Sequence, residues 1–225
     1  MIPAAVLFDM DGTLIDSEPY WLIAETELMA EFGHVWTKSD QAHCLGGPLD
    51  RVGRYMSELA NEVREWQFFT NSLVERVTHK FLDGLTFVAG AKEMLIEISE
   101  LGIPLALVSA SPRPLVDAAL AVSPQGIFDA SVSNGEVTRS KPDPEGYLLA
   151  ATLLGVNIED CLVLEDSITG VTAGLASGAH VLAIPHLVTI APNPHLRIVP
   201  TLQGRTFAGV LELFSDSATF GKVSA

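Results

Sequence analysis

The sequence is poor in cysteine, with only Cys44 and Cys161 among its 225 residues. These two lie far apart and match no metal-binding or redox spacing, which argues against a zinc site and a disulfide framework. Long hydrophobic runs are missing as well. The apolar run at 103–110 has the length of a strand, far below the ~20 residues that a membrane-spanning helix requires. A basic leader with a cleavage site is also lacking, so we expect a cytoplasmic protein with no membrane partner.

Basic residues are scarce, since 13 lysines and arginines stand against 28 acidic residues and the formal net charge is −15. Such a surface repels nucleic acid, and no basic stripe offsets it, so we expect no nucleic-acid partner. The hydrophobic fraction of 48% and the charged fraction of 18% exclude a disordered chain. An acidic enzyme can still bind an anionic substrate if a few cations are placed locally, which makes the few lysines informative.

Four short apolar runs, at 4–8, 103–109, 161–164 and 179–184, have the length of buried strands. Between them apolar residues recur at the three- and four-residue spacing of helices, for example over 91–101. Strands that alternate with helices form a parallel sheet through right-handed crossovers. The sequence therefore predicts an α/β fold with a Rossmann-like, doubly wound parallel sheet.

The stretch 16–85 differs from the rest because it shows helical periodicity and no convincing strand. We therefore expect a helical cap domain at 16–85, inserted into an α/β catalytic core formed by 1–15 and 86–225. Near the other end of the chain, the four prolines within 185–200 predict a loop.

Polar residues follow the predicted strands, at the sheet edge where open parallel sheets bind their ligands. They are Asp9, Asp11, Ser109, Glu165 and Asp166, joined by Lys141 from a nearby loop. Asp9 and Asp11 lie two residues apart, so their side chains point the same way along an extended segment. So many carboxylates require a hard cation. Mg²⁺ is favoured because it takes oxygen ligands and bridges to phosphates, whereas the histidines show no zinc-motif spacing.

A phosphate group is the ligand that the remaining polar groups favour. Ser109 and the backbone N–H groups after it, beginning with Ala110, can donate to phosphate oxygens, and Lys141 supplies a positive charge. Arg113 follows closely toward the same end of the sheet and is a further candidate for substrate binding. Each residue alone has an ordinary explanation, such as a helix cap or a solvated lysine, but their occurrence in order favours a functional site.

Four motifs in this order resemble those of the haloacid dehalogenase superfamily of phosphohydrolases. They are Phe-Asp-Met-Asp-Gly-Thr-Leu at 8–14, Val-Ser at 108–109, Lys-Pro at 141–142 and Leu-Glu-Asp-Ser at 164–167. The helical insert falls where one branch, which includes sugar-phosphate phosphatases and β-phosphoglucomutase-like enzymes, carries its cap. The resemblance covers essentially the whole chain. It implies a Mg²⁺-dependent phosphoric monoester hydrolase that forms an aspartyl-phosphate.

The resemblance also implies a role for each motif residue. Asp9 would be the nucleophile, and Asp11 would protonate the leaving alcohol and then activate water. Mg²⁺ would be held by the carboxylates of Asp9 and Asp166 and by the backbone carbonyl of Asp11. Ser109 and Lys141 would bind the transferring phosphoryl group.

Two activities within this branch are open: hydrolysis by a phosphatase, or phosphoryl transfer by a β-phosphoglucomutase-like mutase. Trp21 stands where mutase-like members carry a histidine, and the loop 45–51 departs from the Gly-x-x-Arg pattern of the mutases. Both differences favour a phosphatase for a small-molecule phosphate ester, with a sugar or polyol phosphate as the expected substrate. A metal-free dehalogenase fits less well because of Asp11. We expect a monomer.

Overall fold

A computed structural model describes residues 2–185, 191 and 193–215 of the chain. The chain divides into two compact units. The first, called the α/β unit below, comprises Met1–Asp16 and Thr86–Ala225, and the second, called the helical unit, comprises Ser17–Leu85. None of the helices in the described part of the chain has the length and apolar character needed to cross a membrane.

The described residues of the α/β unit form a sheet of six parallel strands in the order β3-β2-β1-β4-β5-β6. The strands are β1 (Ala5–Phe8), β2 (Leu105–Val108), β3 (Ala130–Val132), β4 (Cys161–Glu165), β5 (His180–Ala183) and β6 (Leu196–Ile198). The strand order reverses at β1, which pairs with β2 on one side and β4 on the other. Doubly wound sheets bind ligands beyond the carboxyl ends of their strands at such a reversal, so this edge is where a site is expected.

Four helices form the helical unit: α1 (Glu18–Ala30), α2 (Lys38–Cys44), α3 (Leu49–Leu59) and α4 (Trp66–Asp83). The buried face of α4 repeats every four residues, through Phe69, Leu73, Val77 and Phe81. Both α1 and α3 pack against α4. The second helix begins at a capping box in which Thr37 and Asp40 satisfy each other's backbone N–H groups. All three tryptophans of the chain, Trp21, Trp36 and Trp66, lie in this unit.

In the described part of the α/β unit, five α-helices accompany the sheet: α5 (Ala91–Glu100), α6 (Arg113–Val122), α7 (Glu145–Leu154), α8 (Ile168–Ser177) and α9 (Phe207–Glu212). Every residue of β1, β2, β4 and β5 is buried. Strands covered on both faces read as continuous apolar runs, which is why the sequence predicted these four strands correctly. The predicted fold class, a doubly wound parallel α/β sheet, is confirmed.

The sequence-based prediction was wrong at the edges of the sheet. The segment 185–200 was predicted to be a loop, but Leu196–Ile198 forms β6 beside β5; residues 186–190 and 192 lie outside the described part. Similarly, β3 was not predicted. Each of these edge strands has three residues, of which one is buried: Val132 in β3 and Leu196 in β6. So short and half-exposed a strand gives no periodic signal.

Two adjacent segments of the α/β unit carry the chain into and out of the helical unit. Ile15 and Phe87 form an isolated antiparallel bridge. On either side of it, the Asp16 N–H donates to the Thr86 carbonyl at 3.0 Å and the Val88 N–H donates to the Leu14 carbonyl at 3.0 Å. The two segments therefore run side by side, and their backbone hydrogen bonds hold them together.

A buried carboxyl in the helical unit should make the stability of this unit depend on pH. Glu25 of α1 is only 6% exposed. Burial, followed by the negative charge of Glu18, raises the pKa of Glu25 from 4.5 to about 7. The folded state therefore keeps this proton after the unfolded state has lost it. The free energy of unfolding is expected to fall as pH rises from 4.5 to 7, by up to ~3 kcal/mol, and to stay low above that range.

Replacing Glu25 by glutamine removes the ionisation, so we expect the variant to be more stable than wild type at pH 8 by about 1–3 kcal/mol and equally stable near pH 4.5. Urea unfolding followed by tryptophan fluorescence reports on this unit, because all three tryptophans lie in it. Glu75→Gln, at an exposed position of α4, is the matched control and should change little. Parallel pH curves for wild type and Glu25→Gln would contradict the assignment.

Candidate active site

The site begins where β1 ends. Asp9 follows Phe8 directly, and its backbone N–H donates to the carbonyl of Leu164 in β4 at 3.0 Å. The chain then turns, and the N–H of Gly12 donates to the carbonyl of Ile15 at 2.8 Å. Asp9 is only 6% exposed. A carboxylate so poorly hydrated requires a positive partner at close range.

Lys141 is that partner. Its buried ammonium donates to Asp9 Oδ1 at 2.5 Å, to Glu165 Oε1 at 2.7 Å and to the carbonyl oxygen of Val108 at 3.0 Å. Burial alone would lower the pKa of Lys141, but the charges of Asp9 and Glu165 outweigh it and raise the pKa well above its ordinary value. Lys141 is therefore a fixed positive charge at the carboxyl ends of β1, β2 and β4.

Glu165 is fully buried, and both of its carboxylate oxygens are occupied by hydrogen bonds. Oε1 accepts from Lys141 and from the Tyr147 hydroxyl at 2.8 Å. Oε2 accepts from the backbone N–H groups of Asp166 and Ser167 and from the Ser167 hydroxyl. Glu165 thus holds the lysine and shapes the turn that carries Asp166. Gly170 leaves room for it, since a Cβ there would lie 1.7 Å from Glu165 Oε1.

Asp166 brings a third carboxylate to the cluster. Oxygens of Asp9, Glu165 and Asp166 lie within 4.8 Å of one another. Burial, with the charge of Glu165 second, raises the pKa of Asp166 to about 7, and the same two causes raise the pKa of Asp9 well above 3.8. Three carboxylates around one ammonium leave negative charge uncompensated. An all-oxygen donor set of this kind fits a hard divalent cation such as Mg²⁺.

Gly12 gives Asp166 the space it occupies. Its φ of +81° is a conformation that other residues rarely adopt, and a Cβ at this position would lie 2.2 Å from Asp166 Oδ2. A glycine is therefore required here for two independent reasons, the turn and the close approach of a carboxylate.

Asp11 and Ser109 lie together on the β2 side of β1. The Ser109 hydroxyl donates to Asp11 Oδ2 at 3.3 Å, and the backbone N–H of Ser109 is used in pairing with Val132 of β3. Ala110 is exposed and follows directly. Of the predicted site residues, the structure thus brings Asp9, Lys141 and Asp166 into one cluster and pairs Asp11 with Ser109.

Arg113 has other partners. Its guanidinium donates to Ser131 Oγ at 2.9 Å and to Asp117 at 3.3 Å, and it is paired with Glu136. These contacts connect the start of α6 to β3 and to the 3₁₀ turn Asn134–Glu136, which follows β3. The substrate-binding role expected for Arg113 remains a prediction, and the site described above does not depend on it.

Two residues that contact the site carboxylates could not be identified from the sequence. Tyr147 was not among the predicted site residues, although its hydroxyl donates to Glu165. Ser111 was not considered, although its hydroxyl donates to Asp11 Oδ2 at 2.8 Å. The available signal was position alone: Ser111 lies two residues after Ser109, and Tyr147 lies in the first turns of the helix that follows Lys141.

A doubly wound parallel sheet with buried carboxylates, a lysine and serine hydroxyls at the carboxyl ends of its central strands defines a class of α/β enzymes that act on phosphate groups. Within that class, the chain belongs to the haloacid dehalogenase-like hydrolases, because residues 6–184 match this family.

The curated relatives of the chain include phosphatases. Hexitol phosphatase A of Escherichia coli K12 is 31% identical over 189 residues, which cover 79% of this chain and 81% of the relative. A phosphorylated carbohydrates phosphatase of Thermotoga maritima is 32% identical over 176 residues, covering 77% and 81%. Among solved structures, a presumed β-phosphoglucomutase of Thermotoga maritima is 28% identical, covers 85% and 88% of the two chains and has a TM-score of 0.72. The chain therefore belongs to the branch of this family that includes sugar-phosphate phosphatases and β-phosphoglucomutase-like enzymes.

Proposed function

We propose that this chain hydrolyses the phosphate monoester of a small sugar or polyol, with Mg²⁺ as cofactor and an aspartyl-phosphate on Asp9 as intermediate. The observation that carries the proposal is the Asp9 carboxylate, which ends the central strand and lies 2.5 Å from the Lys141 ammonium and within 4.8 Å of an Asp166 oxygen. This geometry supports Asp9 as the nucleophile, because its carboxylate lies beside the positive charge that an incoming phosphate needs.

Charge decides what the site requires. A phosphate dianion approaching Asp9 meets three carboxylates and one ammonium, and the repulsion would prevent attack. Because Glu165 is engaged by five donors, Asp9 and Asp166 are the carboxylates that would hold Mg²⁺, together with the carbonyl of Asp11. When bound, Mg²⁺ would neutralise part of the negative charge of the phosphate.

In the proposed reaction, an oxygen of Asp9 attacks phosphorus while the bond between phosphorus and the leaving oxygen breaks. Asp11 gives its proton to that leaving oxygen, so that an alcohol departs. Asp11 then takes a proton from water, whose oxygen attacks the phosphorus of the aspartyl-phosphate. The bond between phosphorus and the Asp9 oxygen breaks, which restores the Asp9 carboxylate and releases inorganic phosphate. Throughout, Lys141 and Ser109 orient the phosphoryl oxygens, and Glu165 holds Lys141 in place.

The substrate class is supported by the relatives, which are named as phosphatases of hexitol phosphates and of phosphorylated carbohydrates. The alternative is a mutase, which the similarity to a presumed β-phosphoglucomutase favours. Against it, Trp21 and the loop 45–51 lack the features by which mutases couple transfer to sugar binding.

A panel of hexitol, hexose, pentose, glycerol and nucleotide monophosphates tests this proposal. We expect Mg²⁺-dependent phosphate release that is greatest with hexitol or hexose phosphates and is lost on addition of EDTA. β-Glucose 1-phosphate with a trace of its bisphosphate, followed by phosphorus NMR, separates the two activities. Accumulation of glucose 6-phosphate faster than inorganic phosphate would establish the mutase instead, and activity that survives chelation would contradict the metal requirement.

A further inference from the structure

The carboxyl group of Asp11 is held from one side only. Its Oδ2 accepts a hydrogen bond from Ser111 Oγ at 2.8 Å and a longer one from Ser109 Oγ at 3.3 Å. Its Oδ1 is buried and has no hydrogen-bond partner in the described part of the structure. A buried carboxyl oxygen without a hydrogen-bond partner lowers the stability of the folded state, and such an oxygen is often one that takes part in a reaction. The shorter of the two bonds comes from Ser111, a residue that no motif includes.

The backbone of Ser111 is fixed without the help of its hydroxyl. Its N–H donates to Ser109 Oγ at 2.9 Å, and its carbonyl accepts from the N–H of Asn134 at 3.1 Å. Nor does the hydroxyl cap a helix, since α6 has Pro112 as its N-cap residue and no side-chain cap hydrogen bond. Within the described part of the structure, the Ser111 hydroxyl donates to Asp11 Oδ2.

We infer that Ser111 is the positioning residue for the acid–base step of Asp11. Its hydroxyl fixes Oδ2, so that the other oxygen, Oδ1, carries the proton that passes to the leaving oxygen and later receives one from water. Neither step changes Ser111, which donates the same hydrogen bond before and after each transfer. The inference rests on the proposed function, because it assumes that Asp11 exchanges this proton.

A series of substituted phenyl phosphates distinguishes positioning from a general structural role. p-Nitrophenolate leaves readily without a proton, whereas phenolate depends on the acid, so a misplaced Asp11 slows poor leaving groups more. We expect Ser111→Ala to lower kcat/KM for phenyl phosphate by about 10- to 100-fold and for p-nitrophenyl phosphate by less than about threefold. Ser111→Thr, which keeps a hydroxyl, should restore most of the loss.

Ser123→Ala is the matched control, because it removes a buried hydroxyl that bonds the Ala119 carbonyl at the opposite end of α6. It should lower stability slightly and leave the dependence on the leaving group unchanged. An equal loss on both substrates in Ser111→Ala, or no loss, would overturn the inference. If kcat/KM of Asp11→Asn falls much more for phenyl phosphate than for p-nitrophenyl phosphate while that of Ser111→Ala does not, only the role of Ser111 fails. If Asp11→Asn also shows no greater loss with phenyl phosphate, the proposed acid–base function of Asp11 fails.

Discussion

Replacing Asp9 by asparagine is expected to lower the rate of phosphate release by roughly 10⁵-fold or more. An amide oxygen is a poor nucleophile and no aspartyl-phosphate can form. The fold should survive, because the change removes one of three clustered carboxylates and leaves Lys141 paired with Glu165 at 2.7 Å. Steady-state phosphate release with Mg²⁺, together with circular dichroism of the variant, measures both effects.

The control for this change is Asp83→Asn, an identical chemical substitution at an exposed position near the end of α4. It should retain wild-type turnover. Stored preparations of Asp9→Asn must be tested for deamidation by mass spectrometry, because a trace of restored aspartate would imitate residual activity. If a chemically intact variant turned over within tenfold of wild type, Asp9 could not be the nucleophile.

Replacing Lys141 by methionine should have the second largest effect, because it removes the ammonium that neutralises Asp9 and Glu165. We expect kcat to fall by about 10³-fold, through loss of charge stabilisation in the transition state. The free energy of unfolding should fall as well, by about 3 kcal/mol, since a buried carboxylate would lose its partner. Initial rates and urea unfolding curves of the same preparation provide the two values.

Two further variants keep the test of Lys141 decisive if the methionine variant folds poorly. Lys92→Met alters an exposed lysine of α5 and should change neither rate nor stability appreciably. Lys141→Arg keeps the charge but replaces a compact ammonium by a planar fork, so we expect partial recovery of stability with most of the rate still lost. Full activity in Lys141→Arg would indicate that charge alone, and not the position of the ammonium, supports the reaction.

The parts of the fold that could be predicted from sequence are the strands that are buried on both faces. β1, β2, β4 and β5 are covered on both faces, so each is a continuous apolar run. β3 and β6 have three residues each and one buried position, which is too little for periodicity to show. Burial on both faces, rather than membership of the sheet, made a strand predictable.

The same distinction applies to the site. Asp9, Ser109 and Asp166 lie at or just beyond the ends of strands, and parallel strands bring their carboxyl ends together whatever their separation in sequence. The contact between Tyr147 and Glu165 depends instead on the rotation of α7 about its axis. The bond between Ser111 and Asp11 depends on a loop held by Asn134. Local spacing carries no information about either contact.

The antiparallel bridge between Ile15 and Phe87 has a consequence for how this chain could change over evolutionary time. Antiparallel segments joined side by side are the stem of a hairpin, so the whole helical unit occupies the place of a hairpin turn. The hydrogen bonds of this stem join the two segments directly and do not involve the intervening sequence, so the length of that sequence can change without removing them. The α/β unit can therefore keep its sequence while the residues between the two stem segments are changed or replaced.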